Sequence, residues 1–426
     1  MKSISTVGVV GAGTMGSAIA QHFLMKGLNV VLVDRTDQFL SKGWGHIRQS
    51  LDEAKNRRLI SDEEYEGIFG RISCSTRLTD LSNVKFVVEA VFEDLEIKRQ
   101  LFNEMETVVA DDCVLATNTS SFLVTDVARH LRRPERVAGV HYFYHAAKNK
   151  LVEIIAGENT DHDIVNDLEN FYSVYGKIPI ITKDAPGFAI NRFFVPWLNE
   201  AARLYQEGAG SIPFIDKAAC EMFGIGMGPF ALMNATGVPI ARHAAHGLAD
   251  KLGAFYAPAE ILSHQVDSGQ EWDLEDETIL RGGKNDESLI KERLFGAALG
   301  IASRMVSEGV VDPTSADLGA RTGLRWPLGP FELMNKLGVE NVQQMVTSVF
   351  EPWDMPTPEF PFSTAGKVSL ELVQAKTFGK SGFIIFNIPD RMNALGEEVM
   401  SQLDACFGSL GARADIEKIF ILGKGK

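Results

Sequence analysis

The sequence is poor in cysteine, has no long apolar run and lacks an excess of positive charge. Its four cysteines, Cys74, Cys113, Cys220 and Cys406, are far apart among 426 residues and indicate neither a disulfide framework nor a metal site. No apolar stretch approaches the ~20 residues that a membrane-spanning helix needs. The net charge of −14 argues against binding to nucleic acid or to a membrane surface. A strand pattern begins at Thr6, which we interpret as the absence of a signal peptide, so we predict a cytoplasmic location.

Short β-branched runs alternate with helical patterns over residues 6–184. The runs are TVGVVG, NVVLVD, VKFVVEAV, VLATNTS, RVAGVHYF and KIPIIT. This alternation predicts a parallel sheet with crossover helices. The turn KDAPGF, residues 183–188, is followed by a helix predicted from about Ala189 to Gln206.

Two later segments repeat each other without a gap. EGAGSIPFIDKAACEMFGIGMGPFALMNATGV begins at Glu207, and EGVVDPTSADLGARTGLRWPLGPFELMNKLGV begins at Glu308. Asp216 aligns with Asp317, and the Gly-Pro-Phe and Leu-Met-Asn triplets coincide. The repeat predicts a duplicated helical domain. We interpret its Gly-Pro-Phe and Gly-Val elements as structural turns between helices rather than as catalytic motifs.

The last part of the chain changes character. EPWDMPTPEFPF, from residue 351, carries four prolines and predicts an extended linker. The segment beyond it predicts strand, loop, helix and strand. The predicted domains are 1–184 (nucleotide-binding), 185–286 and 287–350 (two helical copies), 351–363 (linker) and 364–426 (tail).

The loop VGVVGAGTMGSAIA predicts a dinucleotide site, because its glycines follow a strand and open a helix. Gly11 permits the tight turn, Gly13 lets a pyrophosphate approach the backbone, and Gly16 lets helix and strand pack closely. A carboxylate at Asp34, after the second strand, accepts hydrogen bonds from ribose hydroxyls and repels a 2′-phosphate, which favours NAD over NADP. Arg35 weakens this preference slightly. The predicted cofactor residues of the loop are Gly11, Gly13, Thr14, Met15 and Gly16.

A histidine and a glutamate predict the chemistry. Removing a hydride from a secondary alcohol requires a group that takes the hydroxyl proton, and a histidine with its ordinary pKa of ~6.5 suits this. His141 follows the strand pattern RVAGV, at the sheet edge where ligands of open α/β sheets bind. Glu153 lies in the apolar run KLVEII, where burial requires a partner. We predict that Glu153 pairs with His141, fixes its tautomer and stabilises the imidazolium.

With these motifs the sequence resembles the L-3-hydroxyacyl-CoA dehydrogenases over residues 4–350. The resemblance rests on GAGTMGSAIA, VVEAVFEDLEIK, NTSS, GVH with KLVEII, APGFAINR and the GMGPF-type repeats. It implies an NAD-dependent, reversible oxidation of (S)-3-hydroxyacyl-CoA to 3-oxoacyl-CoA, as in fatty-acid β-oxidation or a related acyl-CoA pathway. His141 is then the base and Glu153 its orienting partner.

Three further site residues follow from the resemblance alone. Ser120 and Asn191 match residues that hydrogen-bond the substrate oxygen. Asn118 matches a position near the nicotinamide ribose. For the neighbouring Ser121, which has no matched role, the interpretation is that it caps the following helix.

Charged residues at two places also match the family. Glu93 and Lys98 match contacts on the nicotinamide side, with a solvated helix pair as the alternative. Lys55, Arg57 and Arg58 lie where the family places its CoA contacts, on a predicted helix after the second strand. The alternative for these three is an ordinary solvated helix face.

The sequence departs from the family beside the base. The family pattern after the histidine is Phe-Phe-Asn-Pro, whereas residues 142–145 read YFYH, and Ala147 and Asn149 replace a proline and a methionine. We interpret His145 as a change of local backbone or pocket shape, with a second proton carrier as the alternative. The departure bears on acyl-chain preference more than on the reaction.

The tail resembles the beginning of the crotonase (enoyl-CoA hydratase) fold, in FNIPDRMNALGEEVMSQLDACF and DIEKIFILGKGK. The predicted fold is therefore a Rossmann-type doubly wound α/β sheet, a duplicated all-α C-terminal domain of the dehydrogenase family, and an incomplete crotonase-like tail. In relatives with one helical domain, that domain pairs with its copy in a second subunit. Here a second copy in the same chain covers the same surface, so we expect a monomer or a homodimer in which the two copies form an internal pseudo-dimer. Two other functions stay open: a dehydrogenase of a free hydroxy or sugar acid, and a non-catalytic dinucleotide-binding subunit.

Overall fold

The computed structural model describes residues 4–425, which form two compact units divided after Phe188. The strands of the first unit are β1 Thr6–Val10, β2 Asn29–Val33, β3 Ile72–Ser75, β4 Phe86–Glu89, β5 Val114–Thr117, β6 Val137–Tyr142, β7 Leu151–Ala156 and β8 Ile178–Lys183. Its helices are α1 Thr14–Met25, α2 Asp37–Asn56, α3 Asp62–Phe69, α4 Leu95–Val108, α5 Val124–Ala128 and α6 His162–Val174.

The eight strands form one sheet in the order β3-β2-β1-β4-β5-β6-β7-β8. The first six strands are parallel and have the Rossmann order, so the prediction of this fold is confirmed. The expectation of a wholly parallel sheet is wrong at one place, because β7 runs antiparallel to β6. The connection between them, residues 143–150, contains no helix, and a parallel pairing needs a crossover of about a dozen residues or more.

The sheet is buried on both faces. In β1, Val7 and Val9 belong to one apolar core, and Val10 belongs to the core on the other side. Burial of both faces explains why the central strands read as continuous apolar runs rather than as alternating ones. The strand β3, ISCS, was not predicted because it is short, polar and at the edge of the sheet.

The second unit is helical up to residue 350 and ends in a small sheet. Its helices are α7 Ile190–Glu207, α8 Ile212–Phe223, α9 Pro229–Thr236, α10 Val238–Leu252, α11 Glu260–Ser268, α12 Glu287–Ser307, α13 Pro313–Gly323, α14 Pro330–Leu337 and α15 Val339–Phe350. The prediction of a helical domain after the sheet is confirmed. Within residues 4–425, no helix is both long and apolar enough to cross a bilayer.

An aspartate caps a helix in the same way in both repeats. Asp317 accepts hydrogen bonds from the backbone amides of Phe331 (2.7 Å) and Glu332 (2.9 Å), at the beginning of α14. Asp216 accepts the equivalent bonds, at 2.7 and 2.9 Å, at the beginning of α9. A side chain at Gly329 would meet the Asp317 carboxylate at 2.3 Å, which explains the glycine of the Gly-Pro-Phe triplet. Burial raises the pKa of Asp317 to about 8.

We expect Asp317→Ala to lower the free energy of unfolding by about 1–3 kcal/mol, because two amides lose a buried acceptor. Urea denaturation followed by circular dichroism measures this change. Asp312→Ala is the control, since Asp312 is exposed and caps α13 through one amide, that of Ser315. Equal losses for the two variants would contradict the structural role of the motif.

Two ion pairs relate α7 and α12 reciprocally. Arg192 of α7 donates to Glu308, and Arg293 of α12 donates to Glu207 at 2.9 Å. Arg293 is 101 residues after Arg192, and Glu308 is 101 residues after Glu207, which is the offset of the sequence repeat. An exchange of equivalent partners is the pattern of a two-fold symmetric contact.

A second reciprocal feature extends past the proline-rich segment. Asn234 exchanges two hydrogen bonds with the backbone of Trp272, at 2.8 and 2.9 Å. Its counterpart Asn335 does the same with Val368, at 2.9 and 2.7 Å. Val368 lies beyond residues 351–363, where the sequence predicted a linker, so this second pair of hydrogen bonds ties the chain after that segment to α14.

The tail forms a three-stranded sheet with one helix. Its elements are β9 Val373–Phe378, β10 Ser381–Phe386, α16 Glu397–Gly411 and β11 Lys418–Gly423, with the strand order β11-β10-β9. The predicted strand, helix and strand correspond to β10, α16 and β11, while β9 was not predicted. One apolar cluster in the described part of the tail consists of the buried residues Val373, Ile384, Ile388, Val399 and Leu410.

Candidate active site

The glycine loop leaves room for a ligand at the beginning of α1. Gly11 has φ +103°, and a side chain there would meet the carbonyl oxygen of Ala90 at 2.5 Å. A side chain at Gly16 would lie 1.8 Å from the Gly11 oxygen, so this glycine permits close packing of helix and strand. A Cβ atom at Gly13 meets nothing within 4 Å, which is the open space that a pyrophosphate requires. The helix dipole favours an anion at this end of α1.

The Asp34 carboxylate is fixed at the end of β2. One oxygen accepts a hydrogen bond from the Ala12 amide at 2.6 Å, and the other accepts one from the Arg35 amide at 2.7 Å. The Arg35 guanidinium lies over the ring of Phe39, 5.0 Å from its centroid. A carboxylate held in this way suits the ribose hydroxyls of NAD and disfavours the phosphate of NADP.

A cleft of about 1000 Å³ joins these groups. Of the predicted cofactor residues, all except Gly16 and Lys98 line it, and Ser120 lines it as well. The open glycine loop, the helix end and the fixed Asp34 fit a dinucleotide such as NAD.

We expect Asp34→Asn to raise the affinity for NADPH relative to NADH by about 10- to 100-fold, because the like-charge repulsion of the 2′-phosphate is removed. Fluorescence titration with both reduced nucleotides measures the ratio. Asp37→Asn, an exposed change three residues further on, is the control and should leave the ratio unchanged. An unchanged ratio in Asp34→Asn would show that this carboxylate does not discriminate between the two cofactors.

Glu93 and Lys98 belong to a buried charge network. Lys98 is 1% exposed and forms ion pairs with Glu89 at 2.6 Å and with Glu93 at 3.2 Å. The alternative of a solvated helix pair is therefore wrong. Glu89, fully buried in β4, also accepts hydrogen bonds from the Val91 amide (2.7 Å) and from the hydroxyl of Thr117 (2.8 Å).

The Glu93 carboxylate organises the segment that carries Ser120. One oxygen accepts hydrogen bonds from the hydroxyl of Thr119 (2.6 Å) and from the amides of Ser120 (2.9 Å) and Ser121 (3.0 Å). Burial alone would raise the pKa of Glu93, but the Lys98 ammonium and these donors outweigh it and hold the pKa below its ordinary value. Glu93 is thus a carboxylate at neutral pH.

The helix after Ser121 is capped from elsewhere. The Asp184 carboxylate accepts hydrogen bonds from the amides of Val124 and Thr125, both at 2.8 Å, at the beginning of α5. The interpretation that Ser121 caps this helix is therefore wrong. Asn118 lies at the end of β5, and its side-chain oxygen accepts a hydrogen bond from the Tyr142 amide at 2.9 Å.

His141 and Glu153 lie directly opposite each other. They are a register pair of the antiparallel strands β6 and β7, which brings opposing side chains of one face together. His141 Nδ1 is 2.6 Å from Glu153 Oε2, and the two residues are 6% and 0% exposed. In a neutral imidazole, an Nδ1–H that donates to an ionised carboxylate leaves the lone pair on Nε2.

Aromatic rings enclose the imidazole. The centroids of Phe143 and Phe188 lie 4.7 and 5.7 Å from that of His141.

His145, four residues later, is half-buried, and its Nδ1 accepts a hydrogen bond from the Ala147 amide at 3.3 Å. Burial, with help from the Lys148 charge, lowers the pKa of His145. This histidine is therefore neutral at pH 7.

The other predicted residues lie further along the chain. Asn191 is the second residue of α7, in the second unit, and its role stays a prediction. Lys55 lies in the last turn of α2, where it pairs with Asp62 at 3.0 Å. Arg57 and Arg58 are exposed and follow the end of this helix, so the prediction that they lie on it is wrong.

Sequence reasoning missed Glu89 and Asp184. The signal for Glu89 was available, since VVEAV places a glutamate in a continuous apolar run just as KLVEII does. Asp184 had no comparable signal, because its partners lie about 60 residues away in the sequence.

The Rossmann sheet, the cofactor cleft and the helical second unit define an NAD-dependent dehydrogenase. The model of the 3-hydroxyacyl-CoA dehydrogenase NAD binding domain matches residues 6–185, and that of the C-terminal domain of the same family matches residues 187–276 and 290–383. The chain belongs to the 3-hydroxyacyl-CoA dehydrogenase family.

Individual relatives agree with this assignment. The fatty acid oxidation complex subunit alpha of Shewanella amazonensis is 32% identical over 373 residues, which cover 81% of this chain and 52% of that protein. The chain thus spans about half the length of this curated relative. The (S)-3-hydroxybutyryl-CoA dehydrogenase PaaH1 of Ralstonia eutropha is 33% identical, with a TM-score of 0.61 over 63% of this chain and 95% of that one.

A third comparison supports the fold alone. The 3-hydroxybutyryl-CoA dehydrogenase of Escherichia coli shares 22% identity with this chain. Its structure superposes with a TM-score of 0.77 over 83% of this chain and 96% of that one.

Proposed function

We propose that the chain oxidises (S)-3-hydroxyacyl-CoA reversibly to 3-oxoacyl-CoA, with His141 as the general base. The observation that carries the proposal is the buried hydrogen bond of 2.6 Å between His141 and Glu153. The pair lies near the carboxyl end of β6, and ligands of Rossmann sheets bind at this edge. Relatives named for 3-hydroxybutyryl-CoA and for fatty acid oxidation support the substrate class.

The pair has the chemistry of a general base and its orienting partner. Nε2 of His141 takes the proton of the substrate hydroxyl while the C3–O bond becomes a carbonyl. Glu153 stabilises the imidazolium that results and keeps Nδ1 as the donor. Bound NAD⁺ supplies the acceptor for the hydride that leaves C3. The products are the 3-oxoacyl-CoA, NADH and one proton.

Hydrogen-bond donors complete the proposed substrate site. Ser120 borders the cofactor cleft, and its backbone amide donates to Glu93; we assign its hydroxyl to the substrate oxygen from the family motif NTSS. We assign Asn191 the same task from the family motif APGFAINR. For the CoA phosphates we assign Lys55, Arg57 and Arg58, of which the two arginines are exposed and without a recorded ion pair within residues 4–425.

We propose further that residues 187–276 and 290–383 are two copies of one helical domain. The same family model matches both segments. The two capping aspartates, the two asparagines Asn234 and Asn335, and both members of the reciprocal Arg–Glu pairs are each 101 residues apart, whereas Trp272 and Val368, the partners of the asparagines, are 96 apart. In this proposal the second copy extends beyond residue 350. The two-fold contact between the copies within one chain replaces a contact between subunits, and the protein is a monomer or a homodimer.

We also propose an identity for the tail. Residues 384–426, with α16 and β11, are assigned to the first part of a crotonase-like domain on the sequence motifs quoted above. This shortens the tail predicted from residue 364, because the match of the helical domain extends to residue 383 and includes β9. We also propose a cytoplasmic location, which the composition and the bacterial fatty acid oxidation relatives support.

One spectrophotometric experiment tests the proposed reaction. The full chain is mixed with NADH and either acetoacetyl-CoA or a longer 3-oxoacyl-CoA, and the loss of NADH absorbance is followed. We expect turnover with the thioesters and none with free acetoacetate. Turnover with the free acid alone would favour the hydroxy-acid alternative, and NADH binding without turnover would favour the non-catalytic one.

A further inference from the structure

The loop between His141 and Glu153 lies at the edge of the sheet where the proposed chemistry takes place. Strand β6 runs parallel to β5 and ends at Tyr142, so residues 143–150 leave it at the carboxyl edge. Strand β7 starts back from the same edge. Tyr144 is 65% exposed, whereas Ala146 is fully buried, so the loop presents one part to solvent and inserts another.

A buried lysine fastens this loop. Lys177 directly precedes β8, which is parallel to β7 and therefore starts at the same edge. The side chain is 2% exposed, and its ammonium donates to the backbone oxygens of Ala146 and, at 2.7 Å, of Asn149. The ammonium also lies 5.3 Å from the ring centroid of Tyr142. One side chain thus forms hydrogen bonds with the loop at two points.

An ammonium in this position is costly without those carbonyls. Burying a lysine disfavours its charged form strongly unless other groups compensate for the lost hydration. Here the compensating groups are two backbone oxygens, and both belong to the loop that joins the base to its partner. The lysine and the loop therefore depend on each other.

We propose that Lys177 is a positioning residue, whose ammonium holds the loop 143–150 in place and thereby fixes the geometry of the His141–Glu153 pair. The inference rests on the proposed function of that pair. The role of Lys177 goes beyond that proposed function, because Lys177 contacts neither the His141 imidazole nor the Glu153 carboxylate directly.

The surroundings of Lys177 are basic. On α1, His22 is 3% exposed, and Lys26 follows the last turn of the helix. In the loop, His145 is half-buried, and the hydroxyls of Tyr142 and Tyr172 hydrogen-bond each other at 2.7 Å. Burial, and then the charge of Lys26, lowers the pKa of Lys177 to about 7. The amine therefore loses its charge, and its hydrogen bonds weaken, as the pH rises through neutrality.

The test compares Lys177→Met with the wild-type full chain at pH 6 and pH 9. Methionine has a similar length but no donor. At pH 6 we expect kcat/KM for acetoacetyl-CoA to fall by about 10- to 100-fold, the scale for displaced catalytic groups. The affinity for NADH should be kept, because the glycine loop and Asp34 lie on other strands. The ratio of wild-type to variant kcat/KM should decline at pH 9, and taking this ratio cancels the ionisations that both proteins share.

The controls separate position from folding. Lys217→Met removes an exposed lysine of α8 and should change nothing. Lys177→Gln, which keeps a shorter donor, should lie between Lys177→Met and the wild type, and it serves if the methionine variant does not fold. A kcat/KM within about twofold of wild type at both pH values would overturn the inference. A loss of equal size at both pH values would also overturn it, since a merely structural role does not titrate.

Amide hydrogen exchange tests, without any assay of activity, whether Lys177 holds the loop 143–150 in place. The amides of Lys148 and Asn149 both donate to the His145 oxygen at 2.8 Å, within the loop. In a folded Lys177 variant these amides should exchange faster than in the wild type. Unchanged exchange overturns the inference. If wild type shows no acyl-CoA turnover, the proposed function fails separately, and the exchange result still decides the role of Lys177.

Discussion

His141→Gln is expected to lower turnover by about 10²–10⁴-fold, the range for loss of a general base. Glutamine still donates a hydrogen bond towards Glu153 but has no basic nitrogen to take the hydroxyl proton. NADH binding should be kept, because the residues that line the cofactor cleft do not include His141. Steady-state NADH oxidation with acetoacetyl-CoA measures the first effect, and fluorescence titration with NADH measures the second.

His145→Gln provides the matched comparison. This histidine lies four residues later, is half-buried and already accepts a hydrogen bond within its own loop. We expect a change of only a few-fold. If turnover falls in His145→Gln and survives in His141→Gln, then His145 is the base and the assignment to His141 is wrong.

Glu153→Gln is expected to lower turnover by about 10- to 10³-fold, since a neutral amide neither fixes the imidazole tautomer nor stabilises the imidazolium. The pH dependence of the rate should also change, because the carboxylate 2.6 Å from Nδ1 is replaced by a neutral amide. Glu158→Gln removes an exposed carboxylate just after β7 and should leave the profile unmoved. An unmoved profile in Glu153→Gln would argue against the pairing.

The double variant His141→Gln/Glu153→Gln sharpens this test. Residues that act as one unit show losses that do not add. The double variant should therefore be about as slow as His141→Gln alone. Losses that multiply would mean that Glu153 acts by another route than through the imidazole.

The cofactor half of the site could be predicted almost completely from local sequence. Gly11, Gly13 and Gly16 each meet a demand that arises within one strand–turn–helix unit, and Asp34 needs only the next strand. Such demands leave a fixed spacing in the sequence. Gly11, Gly13 and Asp34 line the cleft, and so do Asn118 and Glu93, which were predicted only from the family resemblance.

The charge network could not be predicted in the same way. The sequence left a solvated helix pair as the alternative for Glu93 and Lys98, but Glu93 precedes α4 and Lys98 pairs with the buried Glu89. Burial of a lysine depends on which side chains other strands bring near it. Lys177 is the same case, because the carbonyls that it holds lie 31 and 28 residues before it.

The sequence by itself determined the strand–helix alternation, the glycine loop, the repeat of the helical region and the two residues, His141 and Glu153, that carry the proposed chemistry. The twelve-residue spacing of His141 and Glu153 already predicted a strand–loop–strand return, and the tertiary structure decided the antiparallel register that sets that carboxylate directly opposite the imidazole. It also decided which charges are buried and which segment the Lys177 ammonium holds. The physical reason is range: backbone conformation and apolar periodicity are encoded by neighbours in sequence, whereas the desolvation and pairing of charges depend on residues that meet only after the chain has folded.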